Sequence, residues 1–179
     1  GGVERINGRG FVADGREYEA DVLIYATGFK SNDLLSPMTI RGRGGKTIQE
    51  AWSVDGARAY VGGSMLPGFP NFFILYGPNT NPGHGGGIVN HEEVVTRFAL
   101  HCFEHLILND KRSVDVTVDA FERYNQELDT REALKIYTDR RAASFYVNKF
   151  GRSSVMMPFG PSELWRKLHP VRFDELNID

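Results

Sequence analysis

Cysteine is almost absent from this sequence: 179 residues contain one, Cys102. A single thiol closes no intramolecular disulfide, so nothing is stapled, and a reducing, cytoplasmic compartment is the expectation. Long apolar runs are missing too. No stretch approaches the eighteen or so apolar residues of a membrane-spanning helix, and none has the order of a signal peptide. An excess of charge of either sign is also lacking, since 21 Lys and Arg face 23 Asp and Glu for a formal net charge of −2. That balance argues against nucleic acid as the main partner, because a phosphate backbone selects a basic surface. Several signatures of known chemistry are absent as well. No Gly-x-Gly-x-x-Gly follows a strand pattern. The stretch Gly44 to Thr47 has the end of a phosphate-binding loop, but Ile40 stands where its first glycine belongs. Ser64 lacks the Gly-x-Ser-x-Gly frame of a hydrolase nucleophile, and the His-Glu-x-x-His pattern of a zinc protease does not occur.

What remains is an ordinary globular composition, 41% hydrophobic and 25% charged, long enough for a real core. Glycine is the exception: 20 residues exceed the typical share of about 7%. They concentrate between Gly42 and Gly87. Glycine clusters mark turns, or places where a ligand approaches the backbone closely.

The first thirty residues read as an antiparallel meander, with Asn7-Gly8 and Asp14-Gly15 as its hairpin turns. The unbroken apolar run from Val22 to Ala26 predicts a strand covered on both faces, ended by Thr27-Gly28. An irregular hairpin is expected around Gly42 to Gly45. Two more strands are expected, at Ala59 to Gly63 and at Phe72 to Tyr76. A glycine- and proline-rich loop then leads to a helix beginning near Asn90, with Val94, Val95, Phe98, Cys102, Phe103 and Leu106 on one face. A second helix, capped by Asp119, buries Phe121, Tyr124 and Leu128. The chain turns extended again from Ser144 to Phe150 and ends with a short helix from Ser162 to Leu168.

Three constellations carry candidate chemistry. A strand pattern, a glycine-rich turn and a helix start together expose N–H groups around Gly85, Gly86, Gly87 and Ile88, suited to a phosphate, a carboxylate or the electron-rich end of a reduced flavin. His101 and His105 are four apart on one helix face, with His84, His91, Glu92 and Glu93 nearby, which is metal-ligand spacing; two ordinary helix histidines are the competing reading. Arg140, Arg141, Lys149 and Arg152 form a basic group that suits either a phosphorylated cofactor or a solvated rim. Cys102 lies on the apolar helix face and reads as a buried, inert thiol.

The stretches Asp21 to Phe29 ("DVLIYATGF"), Gly68 to Asn81 ("GFPNFFILYGPNTN") and Ser144 to Leu168 ("SFYVNKFGRSSVMMPFGPSELWRKL") resemble, in order, three segments of flavin-containing and type I Baeyer–Villiger monooxygenases, the last most like the 4-hydroxyacetophenone monooxygenase subgroup. The resemblance implies an α/β fold, the C-terminal portion of a flavoprotein with two dinucleotide-binding domains, whose N-terminal βαβ units are missing here. It implies that residues 1–30 are the end of the NADPH-side sheet and the return strand. Residues 31–118 would be the C-terminal part of the FAD-binding domain, and 119–179 a helical and extended tail. It places Ala26, Thr27 and Gly28 beside FAD, Asn79 and the glycine loop at the flavin face, and Tyr146, beside Ser144 and Phe145, near NADPH. The parent activity implied is oxygen insertion into a ketone. N- or S-oxygenation, and a non-catalytic accessory module, are the alternatives. No catalytic residue is assigned, since the family's arginine belongs to an upstream segment. The chain alone is expected to bind FAD and NADPH weakly and to be incompetent for turnover. Its expected partner is the missing N-terminal portion, or a second copy through exposed faces.

Overall fold

The computed structural model describes residues 2–83, 85–139, 141 and 144–179. His84 and Arg140, two of the candidate ligands, lie outside the described residues. Two compact units are present, Gly1–Lys30 and Ser31–Asp179.

The first unit is the expected meander: β1 (Val3–Asn7), β2 (Gly10–Ala13) and β3 (Arg16–Glu19), antiparallel in the order β1-β2-β3. Asp14 and Gly15 both take positive φ, 48° and 68°, as a turn matched to strand twist requires. Phe11 and Tyr18, opposite each other across β2 and β3, stack at 5.1 Å. The strand expected at Val22 to Ala26 does not form. Val22 is 75% exposed, Ile24 87% and Phe29 91%. The reason is physical: a strand is completed by a neighbouring backbone, and no described segment of this unit pairs with residues 21–29.

The second unit holds the main core. Its elements are α1 (Ile48–Ala51), β4 (Asn81–Pro82), α2 (Ile88–Leu108), β5 (Val114–Val116), α3 (Val118–Glu132), β6 (Met156–Met157), α4 (Pro161–Leu168) and β7 (Leu176–Ile178). Helix α2 starts two residues before the expected Asn90. It buries Val94, Val95, Phe98, Cys102 and Leu106, while Phe103, expected on that face, sits at its exposed edge against Phe73 at 5.2 Å. Helix α3 is capped by Thr117, not Asp119; the Thr117 hydroxyl accepts from the Ala120 N–H at 3.3 Å and Asp119 occupies the first turn. The short helix α4 lies where the C-terminal pattern placed it, with proline at its first turn. Strands β5 and β7 pair antiparallel, and Val114, Val116 and Leu176 share the core with residues of these helices.

The apolar stretches at Ala59 to Gly63 and Phe72 to Tyr76 are not strands. The first is a 3-10 turn, Val61–Gly63, and the second runs irregularly with Ile74 buried. Both feed the core without a ladder, because single backbone bonds, such as Ile74 N–H to Ser64 O at 2.8 Å, take its place. The hairpin expected around Gly42 to Gly45 is present as a single bridge, Arg41 to Thr47, closed by a 3-10 turn. The extended pattern at Ser144 to Phe150 is mostly turn, with one bridge from Val147 to Ser153.

Candidate functional site

Two segments far apart in sequence are pinned together beneath the glycine loop. Asn79 follows Gly-Pro and takes a positive φ of 55°, which asparagine tolerates better than most residues. Its buried amide donates to the Ser153 carbonyl at 2.8 Å and the Met156 carbonyl at 3.0 Å, and its oxygen accepts from Arg152 at 3.2 Å. Backbone bonds from Asn79 to Ser154 and from Asn81 to Val155, both 2.9 Å, extend the seam. β4 and β6 then pair in parallel, Asn81 opposite Met156 and Pro82 opposite Met157. The loop therefore has a rigid floor.

Above that floor come Gly85, Gly86 and Gly87 with φ of 89°, 97° and 71°. Three successive positive values need glycine, since a side chain is strained there. A Cβ at Gly85 or Gly87 would meet nothing within 4 Å, whereas one at Gly86 would strike Pro161 at 2.8 Å. Gly87 caps α2 without a side-chain bond, and no acidic residue occupies the first turn. The opening N–H groups of a 21-residue helix are thus left facing outward with the positive end of its dipole. The crevice below, between Gly86, His91 and Pro161, measures only about 10 Å³. A flat ligand would lie across the open backbone rather than inside.

His91, one turn into α2, stands out in the sequence only as a neighbour of the candidate metal histidines. It is buried, its Nε2–H donates to the Gly62 carbonyl at 3.1 Å, and its Nδ1 has no partner among the described residues. Tyr76 packs edge-on to its ring at 5.9 Å. Burial pushes its pKa below the ordinary histidine value, so the neutral ring is the stable form.

The remaining candidates are dispersed. Ala26, Thr27 and Gly28 are exposed within the first unit, with Gly28 at φ 74°. Tyr146 is half-buried in the turn before Val147, and its N–H donates to the Ser144 hydroxyl at 3.3 Å. The basic group does not converge. Arg141 pairs with Asp139, Lys149 lies over the Phe150 ring at 5.0 Å, and Arg152 is turned inward, its side chain largely buried against Asp129 and Asn79. His101 and His105 face other rings, His169 at 5.7 Å and Phe173 at 4.0 Å. Among the described residues no group of three or more His, Cys, Asp or Glu is placed to hold a metal ion. Cys102 is buried, and burial pushes its thiol up to about 12, as an inert core thiol requires.

The donor set fits one part of FAD. Outward N–H groups on a backbone without Cβ atoms suit the electron-rich edge of a flavin ring. Its pyrophosphate is less well served, since the parallel pair of β4 and β6 is only two residues long and no Gly-x-Gly-x-x-Gly turn follows either strand. No described helix is long and apolar enough to cross a membrane.

No protein-family model matches the sequence. Individual proteins do. An uncharacterised monooxygenase of Sinorhizobium fredii is 32% identical over 178 residues, 98% of this chain and 26% of that protein. A Baeyer–Villiger monooxygenase of Pseudomonas aeruginosa is 31% identical over 159 residues, 88% of this chain and 30% of that protein. Among solved structures, an oxidised steroid monooxygenase bound to NADP superposes with a TM-score of 0.82 at 26% identity, over 98% of this chain and 33% of its own. Cyclohexanone monooxygenase from Rhodococcus sp. Phi1, bound to NADP+, gives the same TM-score at 24% identity, again across about a third of its length. The chain thus spans roughly a third of the proteins it matches, and the fold shared with them is mixed α/β. By sequence and fold it is similar to about a third of the length of Baeyer–Villiger-type flavin monooxygenases.

Proposed function

We propose that this chain supplies the C-terminal part of an FAD- and NADPH-dependent monooxygenase that inserts oxygen into a ketone. The observation that carries the reading is the run of three positive-φ glycines opening a 21-residue helix that has no side-chain cap bond and no acid in its first turn. When bound, FAD supplies the electrons and the oxygen activation. This chain's own part is narrower. The N–H groups around Gly85 to Ile88 hold the electron-rich edge of the ring and favour negative charge there. Asn79 and Arg152 keep that loop at fixed height through β6 rather than touching the ring themselves, because their polar atoms are engaged with the chain. Neutral His91 keeps positive charge away from the helix start. Tyr146, on the segment before β6, lies toward the nicotinamide cofactor. Ala26, Thr27 and Gly28 form a further cofactor contact of the first unit.

The pyrophosphate grip and the reacting arginine belong to the remaining two thirds of such a protein. The exposed run Val22, Ile24, Tyr25 and Phe29 is where strands of that part complete the sheet.

The test is to purify the chain alone and together with the N-terminal two thirds of a relative, then record the visible flavin spectrum and ketone-dependent NADPH oxidation. The reading expects a colourless chain that restores flavin binding and turnover only in the reconstituted pair. Reconstitution without any ketone oxidation, but with turnover of amines or thioethers, would move the assignment to heteroatom oxygenation.

A further inference from the structure

One hydrogen-bonding atom of the His91 ring is left unused under the glycine turn. The residue is the fourth of α2 and 4% exposed. Its Nε2 lies 3.1 Å from the Gly62 carbonyl, which only accepts, so Nε2 carries the proton. Burial keeps the ring neutral, and Nδ1 is then a bare acceptor. That atom is shielded from solvent and has no partner among the described residues. Buried polar atoms in folded proteins are satisfied as a rule, by the chain or by ordered water.

The space beside the ring determines what can answer it. His91 is a wall of the crevice under Gly85, Gly86 and Gly87, with Asn90, Val94 and Pro161, whereas Gly62, at the other ring nitrogen, is not. The crevice measures about 10 Å³, room for one water and nothing larger. Charge selects the same molecule. The Nδ1 lone pair repels an anion, and the positive end of the α2 dipole repels a cation. A second polar group borders the space, since Asn90 Nδ2 lies 3.7 Å from the point where a Gly86 Cβ would stand. Cavities that stay dry are apolar throughout, and this one is not. We propose that one ordered water occupies the crevice, donating to His91 Nδ1 and bonded on its other side to the glycine turn and Asn90, and that His91 through it sets the direction of the N–H groups opening α2. The water site stands without the flavin reading. Its consequence rests on that reading: His91 is a positioning residue for the ring edge, acting through the water and not by contact.

Nuclear magnetic resonance of the isotope-labelled chain tests this without flavin, so failure here is distinct from failure of the cofactor reading. In wild type the ring is expected to be the Nε2–H tautomer, with Nδ1 shifted as an acceptor in use. Water is expected to give cross-peaks to the Gly86 and Gly87 amides, with the opposite NOE and ROE signs of a long-lived molecule. None of the described residues lining the crevice carries a hydroxyl, so side-chain exchange does not imitate them. His91→Gln keeps a donor for Gly62 but has no atom at the Nδ1 position. It is expected to lose the cross-peaks, and the backbone order parameters of Gly86 and Gly87 should fall from about 0.85 to below about 0.6. His91→Asn sets an oxygen near the Nδ1 position and should restore both. Far-UV circular dichroism verifies that each variant is folded; the wild-type spectra decide the water even where one is not. A wild type with an Nδ1–H ring or without long-lived water would overturn the proposal. So would a water that persists in His91→Gln, order parameters unmoved by its loss, or a folded His91→Asn that fails to restore it.

Discussion

Arg152 and Asp129 meet at 2.8 Å, and the other oxygen of the same carboxylate receives Arg58, also at 2.8 Å. One acid from α3 therefore holds two guanidiniums together, one from the loop below the glycine turn and one from the segment after Trp52. Arg152 is the more buried, its side chain 10% exposed, and it also donates to the Ala57 carbonyl at 3.0 Å and to Asn79. Burial and the neighbouring Arg58 lower its pKa, but the ring of acceptors keeps it charged.

Removing the acid is expected to be worse than removing either base. Asp129→Asn leaves two positive charges adjacent with half their acceptor gone, and breaking a buried pair from one side costs about 3 kcal/mol or more. Because Asp129 is 40% exposed, water offsets part of that, and a loss of roughly 2 kcal/mol is expected. Urea unfolding measures it. Arg152→Met is expected to lose less, with one additional sign: Asn79 is left with an unanswered oxygen, so the loop preceding Gly85 exchanges its amide protons faster.

Glu132 gives a pH prediction. The residue is buried; its Oε1 accepts from the Tyr137 hydroxyl at 3.0 Å and its Oε2 has no partner among the described residues. Burial pushes its pKa up to about 7 from 4.5, against the lowering pull of Tyr137 and Arg152. A carboxyl raised on folding is neutral in the folded protein where the unfolded chain is already ionised. Stability is thus expected to fall as pH rises from about 4.5 to about 7, by roughly 3 kcal/mol, since each tenfold change in an ionisation equilibrium is worth about 1.4 kcal/mol. Glu132→Gln keeps an acceptor for Tyr137 and carries no charge, so its melting temperature should exceed that of wild type above pH 7 and converge with it in acid. Equal differences at every pH would disprove the ionisation account.

His91 acts in the opposite direction. Its pKa is lowered by burial, partly offset by the bond to Gly62, so the unfolded chain takes up a proton that the folded one refuses. Stability is lost as pH falls through the ordinary histidine range near 6.5. In the wild-type profile this slope and the one from Glu132 oppose each other, and each cancels part of the other. In the Glu132→Gln background the histidine slope, to which His169, also lowered by burial, adds in the same direction, should show as a melting temperature that drops below about pH 6.5, and His91→Gln should flatten only its own share. A chemical shift of the His91 ring that titrates at its ordinary value would contradict it.

Much of this was legible in the residues, for reasons that differ by element. Helices α2, α3 and α4 announced themselves because 3.6-residue periodicity is written into one segment and needs no partner to read. Val22 to Ala26 and Phe72 to Tyr76 looked like strands because an apolar run is also what a strand looks like, and only a neighbouring backbone makes it one. The meander was read correctly since its turns, Asn7-Gly8 and Asp14-Gly15, carry their geometry locally. Arg152 was hidden. Its partners Asp129, Ala57 and Asn79 are spread over 95 residues of sequence, and no local pattern links them. One local signal existed: Asn79 is an asparagine after Gly-Pro, a residue type that tolerates the positive φ found there.

The glycine turn offers the sharpest separation of stability from binding. Gly87 combines φ 71° with ψ 155°, a region that non-glycine residues avoid at about 1 to 3 kcal/mol. A Cβ there meets nothing within 4 Å, so Gly87→Ala is strained in its backbone and not by a clash. The variant is expected to fold, to melt a few degrees lower, and to turn the first N–H groups of α2 away from their present direction. In the reconstituted protein it should lose flavin affinity at least tenfold. Gly86→Ala is the counterpart: its Cβ strikes Pro161 at 2.8 Å, so it should damage the packing of α4 as well and lose more stability. Gly85→Ala has an open site at φ 89° and should fall between them in stability. If all three variants kept wild-type flavin binding while their melting temperatures fell in that order, the loop would be a structural turn and the flavin would have to be held elsewhere.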